Sequence, residues 1–356
     1  MDMIAAFLEG PKNVQVKRVP VPEPGADRIL VRVRAVGVCG SDVHYYQHGR
    51  MGPFAPTEPL VLGHESAGEV VACGSAVRGF APGDRVALEP GIPCGACEPC
   101  KRGRYNLCAS VYFMGSAPNQ HGAFREYLAW DPRMAYHLPD GVSFEEGALL
   151  EPLAAASYAV RLGGVAPGQT VAIFGCGPIG LLIARMAVIA GATRVFMCDP
   201  EPARLDTARR YGATLAVDPR TTNFVEEIRA ATGGSGADVV LEAAGAPRSH
   251  QQSLEAVARG GTVVFVGWLS QGELGLDLHA VGTRELTVRG MFRYRNVYPE
   301  AMRLVSARRV DLEGLITSRY PLAKVVDALE EALARKPGTL KIMIDAGGEP
   351  SPKTAP

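Results

Sequence analysis

Two periodicities divide this chain. From Arg28 to Val36, the apolar residues Ile29, Val31, Val33 and Ala35 alternate with Leu30, Arg32 and Arg34, the period-2 pattern of a half-buried strand. Pro20, Pro22 and Pro24 punctuate the segment before it, and residues 1–37 as a whole read as β-rich. Glycine and proline recur through residue 120, with short β-branched runs such as Glu69–Ala72 and Arg85–Leu88 between them. That spacing predicts an irregular β-barrel rather than a helical domain.

At Thr170 the pattern changes to alternating strand and helix. Thr170–Phe174 reads as a buried strand, Leu181–Ala190 as a helix and Arg194–Cys198 as a second strand. Further strands are predicted at 214–217, 238–242, 261–266 and 286–290, with helices at 201–211, 223–232 and 248–258. Six strands is the count for two mononucleotide-binding halves of a doubly wound sheet. Between the two regimes, Ser143–Val160 predicts a helix opened by a capping box of Ser143 and Glu146, with Pro152 interrupting it just past Glu151. Residues 295–356 carry a helix near 322–334 and a closing strand at Leu340–Ile344. They are too short for a domain and are expected to rejoin the first. The predicted architecture is α/β with a β-rich part: residues 1–153 with 295–356, and a six-stranded unit over 154–294.

Composition narrows the function classes. A chain of 356 residues exceeds what one core usually organises. Its 37 basic and 37 acidic residues balance, leaving no electrostatic footprint for nucleic acid or an anionic membrane. No apolar run reaches the ~18–20 residues of a membrane span, and the N-terminal apolar run is too short for a signal peptide. Eight cysteines at this length is not a disulfide-scaffold density, so they read as thiols or metal ligands in a cytoplasmic protein.

Three stretches carry chemistry. Pro93–Cys108 places Cys94, Cys97, Cys100 and Cys108 as C-x2-C-x2-C-x7-C within a lobe at 91–109. Two-residue gaps let successive thiolates turn onto one ion, giving a closed structural zinc site, with an iron–sulfur cluster as the alternative. Val38–Val70 holds Cys39, Ser41, His44, His48, His64 and Glu65. A thiolate, an imidazole and a carboxylate can hold a catalytic zinc with one position open, although a buried Cys and a core His fit the same residues. The third stretch runs Gly175, Cys176, Gly177, Pro178, Ile179, Gly180 between strand and helix, the context in which G-x-G-x-x-G seats a pyrophosphate. Asp199 ends the next strand, 24 residues after Gly175, where a carboxylate meets the adenosine ribose and repels a 2′-phosphate. NAD is therefore expected over NADP, with Arg204 nearby as the counter-indication.

Gly63-His64-Glu65-x-x-Gly68, followed by Gly74, Val77 and Gly83–Val86, resembles the zinc signature of the medium-chain alcohol dehydrogenases. The stretches Val38–Tyr46, His48–Arg50, Gly103–Leu107, Glu145–Pro152 and Met291–Asn296 resemble, more narrowly, the sorbitol or polyol dehydrogenase group, which includes xylitol and L-iditol dehydrogenases. The resemblance covers residues 3–345. It implies a GroES-like β-barrel catalytic domain, a Rossmann coenzyme domain, NAD, and two zinc ions per subunit, one catalytic and one structural.

By position, the resemblance implies Cys39, His64 and Glu65 as catalytic zinc ligands, with Glu151 holding the zinc-bound water or serving as an alternative ligand. Asp42 would orient His64. Tyr45, Phe113, Glu151, Arg293 and Tyr294 match substrate-pocket positions, and Ile179, Asp199, Arg204, Val266, Gly267 and Trp268 match cofactor contacts. The implied reaction is oxidation of a polyol at C2 to a ketose with hydride transfer to NAD, the proton leaving through Glu151 or through Ser41 towards His44. The implied assembly is a homotetramer, with a dimer as the second choice. The alternatives are another zinc-dependent dehydrogenase of secondary alcohols (threonine, 2,3-butanediol or idonate) and a non-catalytic dinucleotide-binding protein.

Overall fold

The alternating run at the start of the chain becomes the strand Ile29–Gly37, and the first unit is built on it. In a computed structural model, which describes residues 1–269 and 273–347, the chain divides into Met1–Glu151 with Tyr298–Pro356, and Pro152–Val297. The stretch 348–356 of the expected first domain lies outside the described residues.

Ile29–Gly37 pairs antiparallel with Glu65–Cys73, Tyr127–Trp130 and Lys341–Asp345. Arg85–Leu88, Ala135–His137 and Ile316–Pro321 complete a seven-stranded sheet. A second sheet of three strands is formed by Asn13–Pro20, Asp2–Gly10 and Leu60–Val61. The inward faces supply the core: Ile29, Val31 and Val33 are fully buried, together with Tyr46, Phe124 and Trp130. Burying each such side chain is worth about 1.5–3 kcal/mol. The closing strand Lys341–Asp345 joins this sheet beside Ile29–Gly37, so the C-terminal segment does rejoin the N-terminal one.

The second unit carries a six-stranded sheet in the order Leu215–Val217, Arg194–Cys198, Thr170–Phe174, Ala237–Glu242, Val257–Phe265, Thr287–Gly290. Every neighbouring pair is parallel. Numbered along the chain this is 3-2-1-4-5-6, the doubly wound order of a dinucleotide fold. Phe174 meets Phe224 edge-on at 5.0 Å in its core.

Two local expectations are corrected. Pro152 does not interrupt the helix. The segment breaks earlier into Phe144–Ala148 and Leu150–Gly163, and Pro152 sits in the first turn of the latter. A missing N–H costs nothing there, because first-turn donors have no intrahelical acceptor. The helix predicted to run to 258 stops at Ala256, because Val257 already enters the strand Val257–Phe265. Among the described residues no helix is long and apolar enough to cross a membrane.

Candidate metal centre and nucleotide-binding loop

Cys39 caps the helix Gly40–His48, and His64 and Glu65 enter the strand Glu65–Cys73, whose first residue pairs with Gly37. Strand pairing thus carries Glu65 to within two residues of Cys39. One donor atom from each of Cys39, His64 and Glu65 lies within 4.8 Å of the other two. His64 and Glu65 are buried and Cys39 half-buried. Glu151 is buried too, but is not in this donor set.

Asp42 ties the two segments together. It is fully buried, and its carboxylate accepts the backbone N–H of Cys39 at 2.9 Å and that of Gly63 at 3.0 Å, with His64 Nδ1 3.8 Å away. Burial pushes the Asp42 carboxyl up, against His64 and these two amides. Burial would pull the His64 imidazole down, but the Cys39 thiolate, then Asp42, outweigh it, and its pKa stands well above the usual histidine range. A cluster that draws a proton onto its histidine in this way suits a cation.

One neighbour escapes sequence reasoning. Lys341 is buried, and its Nζ donates to both Glu65 oxygens, at 2.7 and 2.8 Å, and to the Val38 carbonyl at 3.0 Å. It lies 276 residues from Glu65, so spacing could not suggest the meeting. A lysine directly before the apolar run Ile342–Ile344 was the available signal.

The other expected site residues scatter. Phe113 lies beside His64 with ring centroids 5.6 Å apart. Tyr45 is buried in the core of the first unit, its hydroxyl accepting the Ala117 N–H at 3.1 Å. Ser41 and His44 sit half-buried on the helix behind Cys39, and His44 stacks obliquely 6.0 Å from His48. Burial, then His48 and Arg335, pulls the His44 imidazole down. Arg293 and Tyr294 belong to the second unit; Arg293 takes a left-handed backbone (φ 52°) with its guanidinium over Phe292.

Cys94, Cys97, Cys100 and Cys108 also converge within 4.8 Å. Backbone amides at Cys94 and Cys97 donate to the Cys108 and Cys94 sulfurs, each at 3.4 Å. Amides of Ala96 and Cys97 pull the Cys94 thiol down to about 6, while desolvation pushes Cys100 up to about 12. Four sulfurs crowded with amide donors and no open position fit a closed structural zinc site. Tyr105, inside the lobe, donates to the buried Glu89 at 2.7 Å and fastens it to the sheet.

In the second unit the three glycines divide the work. Gly175 takes φ 98°, which a side chain would resist. A Cβ on Gly180 would stand 2.0 Å from the Gly175 carbonyl, so the helix packs on the strand only without one. Gly177 caps the helix Pro178–Ile189, and a Cβ there meets nothing within 4 Å, leaving an open face at a helix N-terminus. Asp199 accepts the Cys176 N–H at 2.8 Å and the Glu201 N–H at 2.9 Å, with Arg204 Nη1 3.9 Å away. Val266 and Gly267 both donate to the Glu242 carbonyl, which shapes the turn before Trp268.

Residues 25–140 match the alcohol dehydrogenase GroES-like domain family, and residues 178–307 the zinc-binding dehydrogenase family. A sorbitol dehydrogenase of Bacillus subtilis is 41% identical over 343 residues, 96% of this chain and 97% of that protein. The chain belongs to the zinc-dependent medium-chain dehydrogenases, in the sorbitol dehydrogenase group. A probable D-xylulose reductase of Neosartorya fischeri is 42% identical, covering 94% of both chains. Among solved structures, a putative zinc-binding dehydrogenase of Sinorhizobium meliloti bound to NADP has a TM-score of 0.89 at 37% identity, covering 97% of this dehydrogenase and 99% of that chain.

Proposed function

We propose that this dehydrogenase oxidises a polyol of the sorbitol–xylitol class at C2 to a ketose and passes the hydride to NAD. The observation that carries the reading is the Cys39–His64–Glu65 donor set, converged in the first unit of a chain whose second unit presents an open glycine turn and a buried ribose-side carboxylate.

In this reading Cys39, His64 and Glu65 hold zinc, and the four-cysteine lobe holds a second ion that fixes a loop without doing chemistry. A catalytic zinc supplies Lewis acidity, lowering the pKa of a coordinated hydroxyl towards neutrality. Asp42 fixes the mutual placement of Cys39 and His64 through the two backbone amides it accepts. Glu151, buried beside the set, orients the polyol hydroxyl and takes up its proton, with Ser41 and His44 as the other exit. Phe113 excludes water on the His64 side. Bound NAD would supply the hydride acceptor, so that one polyol and one NAD would yield one ketose, one NADH and one proton per turnover.

NAD is seated by Gly175, Gly177, Pro178, Ile179 and Gly180, with Asp199 on the ribose and Val266, Gly267 and Trp268 near the nicotinamide. The carboxylate of Asp199 supports NAD against NADP. A cytoplasmic homotetramer completes the reading, and pairing between copies is supported by the strand Thr287–Gly290. All four of its residues are exposed at the edge of the sheet, a ladder open to a second copy.

The test is NADH formation by zinc-loaded protein across a panel of polyols, diols and threonine. The reading expects sorbitol or xylitol to lead the panel. Activity confined to 2,3-butanediol or threonine would refute the substrate class, and none at all would refute the enzyme.

A further inference from the structure

Lys341 poses a physical question. A buried ammonium is costly unless paired, and buried ion pairs are often replaceable by apolar side chains without loss of stability. Its side chain is only 5% exposed at the start of the strand Lys341–Asp345. Three features show that the surroundings are built for one carboxylate. The Lys341 ammonium contacts both oxygens of Glu65. It is anchored from behind by the Val38 carbonyl, while Val38 N–H donates to the Ile342 carbonyl, locking the backbone on that side. Gly37, flanked in register by Glu65 and Met343, opens the space: a Cβ there would stand 2.1 Å from Glu65 Oε2.

We propose that Lys341 is the positioning residue for Glu65: it seats the carboxylate at the edge of the metal centre and competes with the metal for it, keeping Glu65 a weak, exchangeable ligand. The inference rests on the metal-centre reading given above. The sign of its effect follows from charge. Cys39 thiolate and Glu65 carboxylate together match the charge of a divalent ion, and Lys341 adds one positive charge against the same carboxylate. The other groups acting on Lys341 are Cys39 and Glu151, with Asp42 beyond His64. Removing the ammonium frees both Glu65 oxygens and removes a repulsion towards the ion, and both changes strengthen metal binding.

The experiment measures zinc affinity of the full chain by chelator competition, together with the visible absorption of the cobalt-substituted protein. Lys341→Met is expected to bind zinc at the Cys39 site at least about tenfold more tightly, because a unit positive charge is removed from the buried neighbourhood of the ion, with a changed cobalt spectrum and a lower kcat. Lys341→Arg, which keeps the charge, should move affinity and spectrum back towards the native values. Gly37→Ala, which keeps every charge but fills the seat, should weaken zinc binding. A folded Lys341→Met protein with native or weaker zinc affinity overturns the proposal. If that variant fails to fold, native affinity in Gly37→Ala overturns it. Cys39→Ser run alongside separates the premises. If this variant retains both zinc equivalents, the metal-centre reading itself has failed. If zinc responds as expected but no polyol is oxidised, only the substrate reading has.

Discussion

A pair of alanine substitutions separates binding from folding in the glycine turn. At Gly180 the added methyl would face a backbone carbonyl at 2.0 Å, which no side-chain rotation relieves. The helix Pro178–Ile189 must move by about 1 Å to restore a normal contact, and overpacking of this kind costs about 1–3 kcal/mol. Gly180 is the third residue of the helix, where alanine's interior propensity advantage returns little. The net loss is therefore about 1–3 kcal/mol, and the displaced partner is Gly175, the residue that sets the turn. At Gly177 the methyl enters open space at an ordinary φ of −70°. Its structural cost is that of a poorer N-cap, about 0.5–1 kcal/mol. If a pyrophosphate lies on that open face, the methyl occupies its place. Calorimetric melting and fluorescence titration with NAD read the two effects. Gly177→Ala should melt within a few degrees of the native protein while losing at least about tenfold in NAD affinity, equivalent to about 1.4 kcal/mol. Gly180→Ala should lose both. Native NAD affinity in Gly177→Ala would refute the placement of the pyrophosphate.

Asp199→Ala should raise the ratio of NADP- to NAD-linked activity, measured as kcat/KM with each coenzyme; an unchanged ratio removes Asp199 from the ribose. Cys94→Ser should release one zinc equivalent and lower the melting temperature, with activity surviving at low temperature; metal analysis and a thermal scan check both. Asp131 titrates in the acid range: burial would raise its carboxyl, but Arg133 and then Arg28 outweigh that and hold it below the usual range. A depressed carboxyl stabilises the fold above the unfolded pKa of about 3.9 and loses that contribution as pH falls further. Asp131→Asn should therefore be less stable than the native protein at pH 7, the gap closing below about pH 4 in denaturant titrations.

The α/β half was legible because its elements are long and bounded. Apolar runs such as Thr170–Phe174 and Arg194–Cys198 end at a glycine turn or an acid, and both strands form at those residues. The first unit was less so. Several of its strands are only two to four residues long, most of its pairings join segments far apart in sequence, and the helix Gly40–His48 has mixed polarity on every face, so no periodicity marks it. The short helix Leu278–Thr283 buries none of its residues and leaves no stripe to read, whereas Tyr298–Ser306 buries Tyr298, Ala301, Met302 and Val305 at i, i+3, i+4 and i+7, a periodicity legible in the sequence. Chemistry followed the same rule. Four cysteines within fifteen residues declare a site, whereas Lys341 and Gly37 meet Glu65 only because three strands pair in one register.

Whether Cys39, His64 and Glu65 form a catalytic metal site serving NAD-linked polyol oxidation is decided by zinc content, NAD affinity and polyol-dependent NADH formation, measured together in native protein and Cys39→Ser. Two zinc ions are expected per native subunit and one in the variant, with NAD affinity unchanged and polyol-dependent turnover abolished. A Cys39→Ser protein that keeps both zinc ions and its turnover would contradict that assignment.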